Sequence, residues 1–242
     1  MKTDRHNLDI IDSTNAWAKK NVSSFDPEAL TVVTAKEQTA SYGRFNRKWL
    51  SPPSNLCITF CVFMPTMRSD TPNIPPVLLL SVVDILEEEE LKPTIKWPND
   101  ILIGDKKLGG VLCETTPVNG QRAVIIGLGL NVNMEEKELK KIGRPATSLY
   151  VETGADHNID DVIERLEKQF ANHLETFLKE GFKPFRDRFA EFLNFKKGAK
   201  LRFNDFKNTW EGIFHSLNAD NSINIELPLH EIRTFFAGEI LE

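Results

Sequence analysis

Thr94 to Glu114 reads TIKWPNDILIGDKKLGGVLCE and mixes strand-like runs with groups that could bind or move charge. Lys96 and Asp100 flank Trp97-Pro98-Asn99, and Lys106-Lys107 precede Gly109-Gly110. A lysine at a turn is ordinarily just solvated. Paired glycines inside a strand weaken it, unless a ligand or another backbone approaches closely. Three further clusters have the same double character. Arg44, Arg47 and Lys48 fall within one short loop beside Tyr42, Gly43, Phe45 and Trp49. Guanidinium groups hold phosphate bidentately, loop N–H groups add donors, and Trp49 could stack on a ring. Read alone, the same loop is equally a solvated basic segment. Gly127-Leu-Gly-Leu-Asn131 again sets glycines in an apolar strand, with Asn131 at its end facing a phosphate or hydrated metal. Asp12-Ser13-Thr14-Asn15 by itself is a helix cap.

Common chemistries are missing. The chain has no GxxxxGK[ST], no GxGxxG and no GxSxG, and its five histidines are scattered. Any site therefore works through cations and backbone rather than a nucleophilic side chain. Cys57 and Cys61 lack a second cysteine pair or a nearby histidine, so zinc is not expected. The three cysteines read as free thiols in a reducing cytoplasm. A formal charge of −5 argues against broad nucleic-acid or anionic-membrane binding. No run approaches the ~20 apolar residues of a membrane span.

The elements that must position these groups form an α+β chain. Ser13 or Thr14 caps a helix through Lys20. Strands are expected over Leu30–Ala35, Asn55–Met64, Thr94–Trp97, Ile101–Ile103, Leu108–Cys113 and Ala123–Asn133, with a hairpin turn at Gly104-Asp105-Lys106. Residues 38 to 54 are a long loop, and such loops are often functional. Helices follow over Pro76–Leu91, Ile159–Lys179 and Pro184–Phe192. Glu87–Glu90, at the end of the first, read as a solvated face. From Phe195 short alternating segments suggest a β module of roughly 45 residues, too small to stand comfortably alone.

In order, STN at 13–15, QTASYGRFNRKW at 38–49, KWPND at 96–100, KLGG at 107–110 and GLGLN at 127–131 resemble biotin–protein ligases. The resemblance covers nearly the whole chain, and KWPND is its most specific piece. It implies a catalytic domain over 1–194 with a mixed sheet flanked by helices, like class II synthetases. An SH3-like β-barrel over 195–242 completes it. It also implies two steps. Biotin and ATP give biotinyl-5′-AMP, and biotin then passes to a lysine of a biotin carboxyl carrier protein. Mg²⁺ accompanies ATP with its ligands left open, Asp100 and Asn131 being the residues implied near it, and a homodimer is compatible with the family.

By that resemblance Ser13, Thr14, Asn15 and Gln38 bind biotin, with Tyr42, Gly43, Arg44 and the backbone of Gly127 and Gly129. Lys107 bridges the biotin carboxylate and the α-phosphate, and Asp100 orients or deprotonates the acceptor amine. Arg44 joins these two as catalytic. Arg44, Arg47, Trp49, Lys96, Asn99, Asn131 and Ala146 serve the nucleotide. Where the family reads GRGRRGR, residues 41–47 read SYGRFNR, so loop closure and adenylate retention are expected to differ. Only twelve residues precede Ser13, too few for a helix-turn-helix, so no DNA-binding role is expected. Ser13-Thr14-Asn15 with Gln38 favour biotin over lipoate or octanoate. A non-catalytic biotin or nucleotide sensor would not need Asp100, Lys107 and both arginines.

Overall fold

A computed structural model of the chain describes residues 1–241. Seven strands form a mixed sheet: β1 (Thr3–Ile11), β2 (Leu30–Gln38), β3 (Leu56–Pro65), β4 (Pro93–Lys96), β5 (Asp100–Ile103), β6 (Lys106–Val118) and β7 (Gln121–Leu130). Their order is β1-β2-β3-β7-β6-β5-β4. Only β1 and β2 run parallel. β1 was not expected from the sequence. It is an edge strand with half-exposed, mostly polar residues, so it carries no apolar run to betray it.

Alternation along the central strands explains how one sheet serves both a core and a site. Ile58, Phe60, Val62, Val124, Ile126 and Leu128 face the large core built with α2 (Ile74–Glu88), α5 (Ile159–Glu180) and α6 (Lys183–Phe192). Val33, Cys61, Ala123 and Ile125 face the opposite way and pack against Ala18, Val22 and Phe25, on and just beyond α1 (Thr14–Asn21). Thr59, Gly127 and Gly129 continue that second face by the two-residue period of a strand. α1 starts where Ser13 Oγ accepts from Ala16 N. Residues 134 to 150, expected as loop, contain the short helix α3 (Glu136–Leu139) and open α4 (Leu149–Thr153).

The acidic end of α2 has a structural role. Arg165 of α5 reaches Glu89 at 2.5 Å and Glu88 at 2.7 Å, and Arg188 of α6 reaches Glu87 at 2.7 Å. Glu87, Glu88 and Glu89 thus link three helices from a face that still meets water.

The C-terminal strands are β8 (Lys200–Asn204), β9 (Thr209–Leu217), β10 (Ile223–Glu226), β11 (Ile232–Phe235) and β12 (Glu239–Leu241). They form an antiparallel sheet ordered β11-β10-β9-β8-β12. Glu242, the last residue of the expected module, lies outside the described residues. Its sheet is joined to the larger one by buried contacts. The Trp97 ring lies 5.9 Å from that of Phe203, and Trp97 Nε1 donates to Asn221 O at 3.0 Å.

Candidate active site

A two-residue turn at Gly104-Asp105 joins β5 to β6, with Gly104 at φ 57°. In this hairpin Asp100 opposes Gly110 and Ile101 opposes Gly109, but Leu102 opposes Lys107. One residue, Leu108, is therefore extra on β6, a β-bulge. Residues directly opposite share a face, as do residues two apart on a strand. The bulge thus turns Lys107 onto the face of Asp100, and the two form an ion pair at 2.6 Å. Burial pushes the Lys107 ammonium below the usual lysine pKa, against the pull of Asp100; Arg144 and Arg47 push the same way as burial.

Two adjoining cavities share this pair's lysine. One, an open cleft of about 100 Å³, is lined by Ser13, Thr14, Asn15, Gln38, Tyr42, Gly43, Arg44, Arg47, Trp49, Asn99, Asp100, Lys107, Gly127 and Gly129, among others. The other, about 320 Å³, is lined by Trp49, Lys107, Asn131, Ala146, Lys48 and Lys141, among others. Lys107, Trp49, Lys48 and Arg144 line both. The Lys107 Nζ stands 5.4 Å from the Trp49 ring centroid. Lys96, on β4, lines neither cavity.

The first cavity is a polar pocket whose floor is pre-arranged. Gln38 Oε1 accepts from Thr14 N at 2.7 Å and from Thr14 Oγ1 at 3.0 Å, and Gln38 Nε2 donates to Ser51 at 3.1 Å. The buried Thr59 hydroxyl donates to Asn15 Oδ1 at 2.7 Å and lies 2.8 Å from Thr14 Oγ1. Asn15 Nδ2 and the Tyr42 hydroxyl both donate to Glu114, at 3.2 and 3.1 Å. Burial, and then Glu114, push the Tyr42 phenol up to about 12, so it stays neutral.

The loop over this pocket closes on itself. Gly43 N donates to Arg47 O at 2.8 Å and Trp49 N to Ser41 O at 3.1 Å. Arg44 donates to Asn99 Oδ1 at 3.0 Å, and Asn99 Nδ2 donates to Val111 O at 3.0 Å, so the KWPND turn holds the arginine. Arg47 donates to both carboxylate oxygens of Glu239, at 2.8 and 3.0 Å.

Some expectations are corrected. Gly109 does not open space for a ligand, while Gly110 lines the first cavity beside the Asp100–Lys107 pair. A Cβ on Gly109 would lie 2.8 Å from Gly129 O, and one on Gly110 would lie 3.0 Å from Asp100 Oδ1 and 3.1 Å from Lys107 Nζ. They admit a neighbouring strand and the ion pair. Asn131 lines the second cavity, but its amide is engaged: Oδ1 accepts from Asn55 at 3.1 Å and Nδ2 donates to Thr147 O at 2.9 Å. Those two bonds fix the amide and leave one oxygen lone pair and one N–H to meet a ligand. Arg144, Glu114 and Thr59 were not singled out from the sequence. Thr59 alone left a signal, a lone hydroxyl inside the apolar run LCITFCVFM.

Comparisons with known proteins agree with this geometry. A family model described as Biotin/lipoate A/B protein ligase family matches residues 8–131. The bifunctional ligase/repressor BirA of Bacillus subtilis is 34% identical over 185 residues; the match covers 74% of this chain and 56% of that protein. The chain thus spans just over half the length of that relative. The biotin--[acetyl-CoA-carboxylase] ligase of Paracoccus denitrificans is 30% identical over 185 residues, 73% of this chain and 75% of that protein. Among solved structures, biotin protein ligase from Aquifex aeolicus in complex with biotin and ATP aligns with a TM-score of 0.84 at 28% identity, covering 98% of this chain and 97% of that one. Motif order, sheet topology and these matches agree, and the chain belongs to the biotin/lipoate A/B protein ligase family.

Proposed function

We propose that this chain is an ATP-dependent biotin–protein ligase acting on a lysine of a biotin carboxyl carrier protein. The observation that carries the reading is the Asp100–Lys107 pair, with Lys107 set where the two cavities meet. One cavity suits a small polar ring, through Ser13, Thr14 and Gln38. The other suits a nucleotide. Lys107, paired with Asp100 at the meeting of the two cavities, is then a group that both anions share.

In the first step a biotin carboxylate oxygen attacks the α-phosphorus of ATP, and pyrophosphate leaves. Two anions must meet, so fixed cations lower their repulsion and stabilise charge developing at phosphorus. Lys107 and Arg44 supply that charge from the cleft, and Arg47 would exchange Glu239 for a phosphate. Holding both substrates in line contributes further. Asp100 is a cleft carboxylate that could help hold Mg²⁺ bound with ATP, and the ion would help neutralise the phosphates.

In the second step the acceptor amine attacks the acyl carbon and AMP leaves. As the acyl oxygen and phosphate of the adenylate draw Lys107 towards them, Asp100 would be released to accept the amine's proton. The loop from Ser41 to Trp49 would shield the adenylate from water meanwhile.

The test is incubation with ATP, Mg²⁺ and labelled biotin or lipoate, with and without a carrier domain. Adenylate from biotin and label on the carrier are expected. Lipoate transfer instead would assign the other branch of the family. Binding without adenylate would make the chain a sensor.

A further inference from the structure

The SYGRFNR loop is fastened to the C-terminal sheet by Phe45, where the family pattern has arginine, and by Arg44 and Arg47. Phe45 of the loop and Phe206 of the β8–β9 turn meet with ring centroids 4.8 Å apart at 57°. The Arg44 guanidinium carbon lies 5.3 Å from the Phe45 centroid and 5.6 Å from that of Phe206. Arg44 also donates to Gly238 O at 3.3 Å, on the same side. Both rings are substantially exposed, 57% for Phe45 and 45% for Phe206, so core burial does not explain them. Both residues also hold left-handed backbone, at φ 59° and φ 71°. That conformation is unfavourable for a side chain of this bulk. Each ring is held out at a cost; each gains the other ring and the Arg44 guanidinium, and Phe45 also meets Arg47, 5.5 Å from its centroid.

We propose that Phe206 is a positioning residue: from the C-terminal module, against Phe45, it presets Arg44 over the cleft before substrate arrives. Which reaction this serves rests on the function proposed above. Asn99 holds the guanidinium from the catalytic side, and the two rings and Gly238 O hold it from the other. Ordering a mobile loop costs binding free energy, so a loop fixed beforehand leaves more for the substrate. The clasp does in this chain, through aromatic faces, part of what additional loop arginines do through charge.

The test compares Phe206→Ala, Phe206→Leu and Phe206→Tyr in the full chain. Ala and Leu remove the π-face, and should raise KM for ATP about five- to tenfold, the scale of one aromatic pair plus one cation–π contact. Saturating ATP should restore kcat. Tyr keeps the ring face and should behave like the parent. Phe45→Ala combined with Phe206→Ala should be no worse than the worse single change. Hydrogen exchange of the ligand-free chain supplies a readout independent of activity: amides 43–48 should exchange faster in the Ala and Leu variants. A ring that merely stabilised the module would lower the melting temperature and leave KM and loop exchange alone. Unchanged exchange in Phe206→Ala overturns the proposal. So does unchanged KM in a parent that forms adenylate. A parent forming none would sink the functional reading, while the exchange experiment still decides the clasp.

Discussion

Gly129 lies directly beneath the Trp49 indole: a Cβ there would sit 2.5 Å from Nε1 and Cε2 of that ring. Gly127 stands in the same relation to Asn15, whose Oδ1 would be 2.4 Å from an added Cβ. Both glycines make room for protein side chains, and those side chains shape the pocket. Gly129→Ala must displace the indole that lines both cavities. Overpacking of this kind costs about 1–3 kcal/mol. We expect biotin and ATP affinities to fall by about tenfold or more, on the scale of 1.4 kcal/mol per decade. Calorimetric titration of the folded variant checks it, and parent-like affinity for both ligands would show that the ring is not needed where it lies.

Lys107 lines both cavities, as Lys48 and Arg144 do, and it is the one paired with Asp100. Lys107→Ala should slow adenylate formation by about 100- to 1000-fold, the scale of one well-placed charge donor. Pyrophosphate release in a single turnover measures it. Near-normal release would remove Lys107 from the first step.

Its ionisation gives a separate prediction. Lysine carries charge below its pKa, and burial holds Lys107 below the ordinary 10.5. The active cation is therefore lost at a lower pH than for an exposed lysine. Because kcat/KM reports the free protein's groups, its alkaline limb should fall with a midpoint below 10.5. Lys107→Arg, whatever its rate, should push that limb upward, since guanidinium stays charged. The same limb in Lys107→Arg would assign it to another group.

The residues of the site were more legible in the sequence than the way they are held. Motif order brought Ser13, Gln38, Arg44, Asp100 and Lys107 to one cleft, because each sits at a strand end, cap or turn that marks itself. The bulge at Leu108 has no signature in LGGV, yet it sets the Asp100–Lys107 pair. Arg144 and Glu114 reach the site from a loop and a strand without any motif. Their relevance is purely spatial. β1 escaped because an edge strand need not be apolar. The glycines were noticed for the right reason, close approach, but the approaching groups were indole, amide and backbone.

Trp97 sits in the most recognisable motif of the chain, yet its work is architectural. It is buried and donates to Asn221 O across the junction with the C-terminal sheet. Trp97→Phe leaves that acceptor without its donor and a void beside Phe203. A loss of about 1–3 kcal/mol in unfolding free energy is expected. Urea denaturation reads it directly. KM for ATP and biotin should hold in the folded variant, and a large change in either KM with unaltered stability would place Trp97 in the site instead.

The last prediction concerns Tyr42, where the family pattern has arginine. Its hydroxyl donates to Glu114 at 3.1 Å and its ring lines the first cavity. A neutral phenol brings no charge to the adenylate's phosphate, and its hydrogen bond here goes to Glu114. Tyr42→Arg adds one charge-assisted donor over the cleft, an interaction of about 1.5–3 kcal/mol, or roughly tenfold or more. Biotinyl-AMP should therefore leave the variant more slowly, as followed by chasing labelled adenylate with excess unlabelled ligand. Glu114 competes for the new guanidinium, so Glu114→Gln in the same background should slow release further. Equal release rates in parent, single and double variants would mean that this position does not govern adenylate retention.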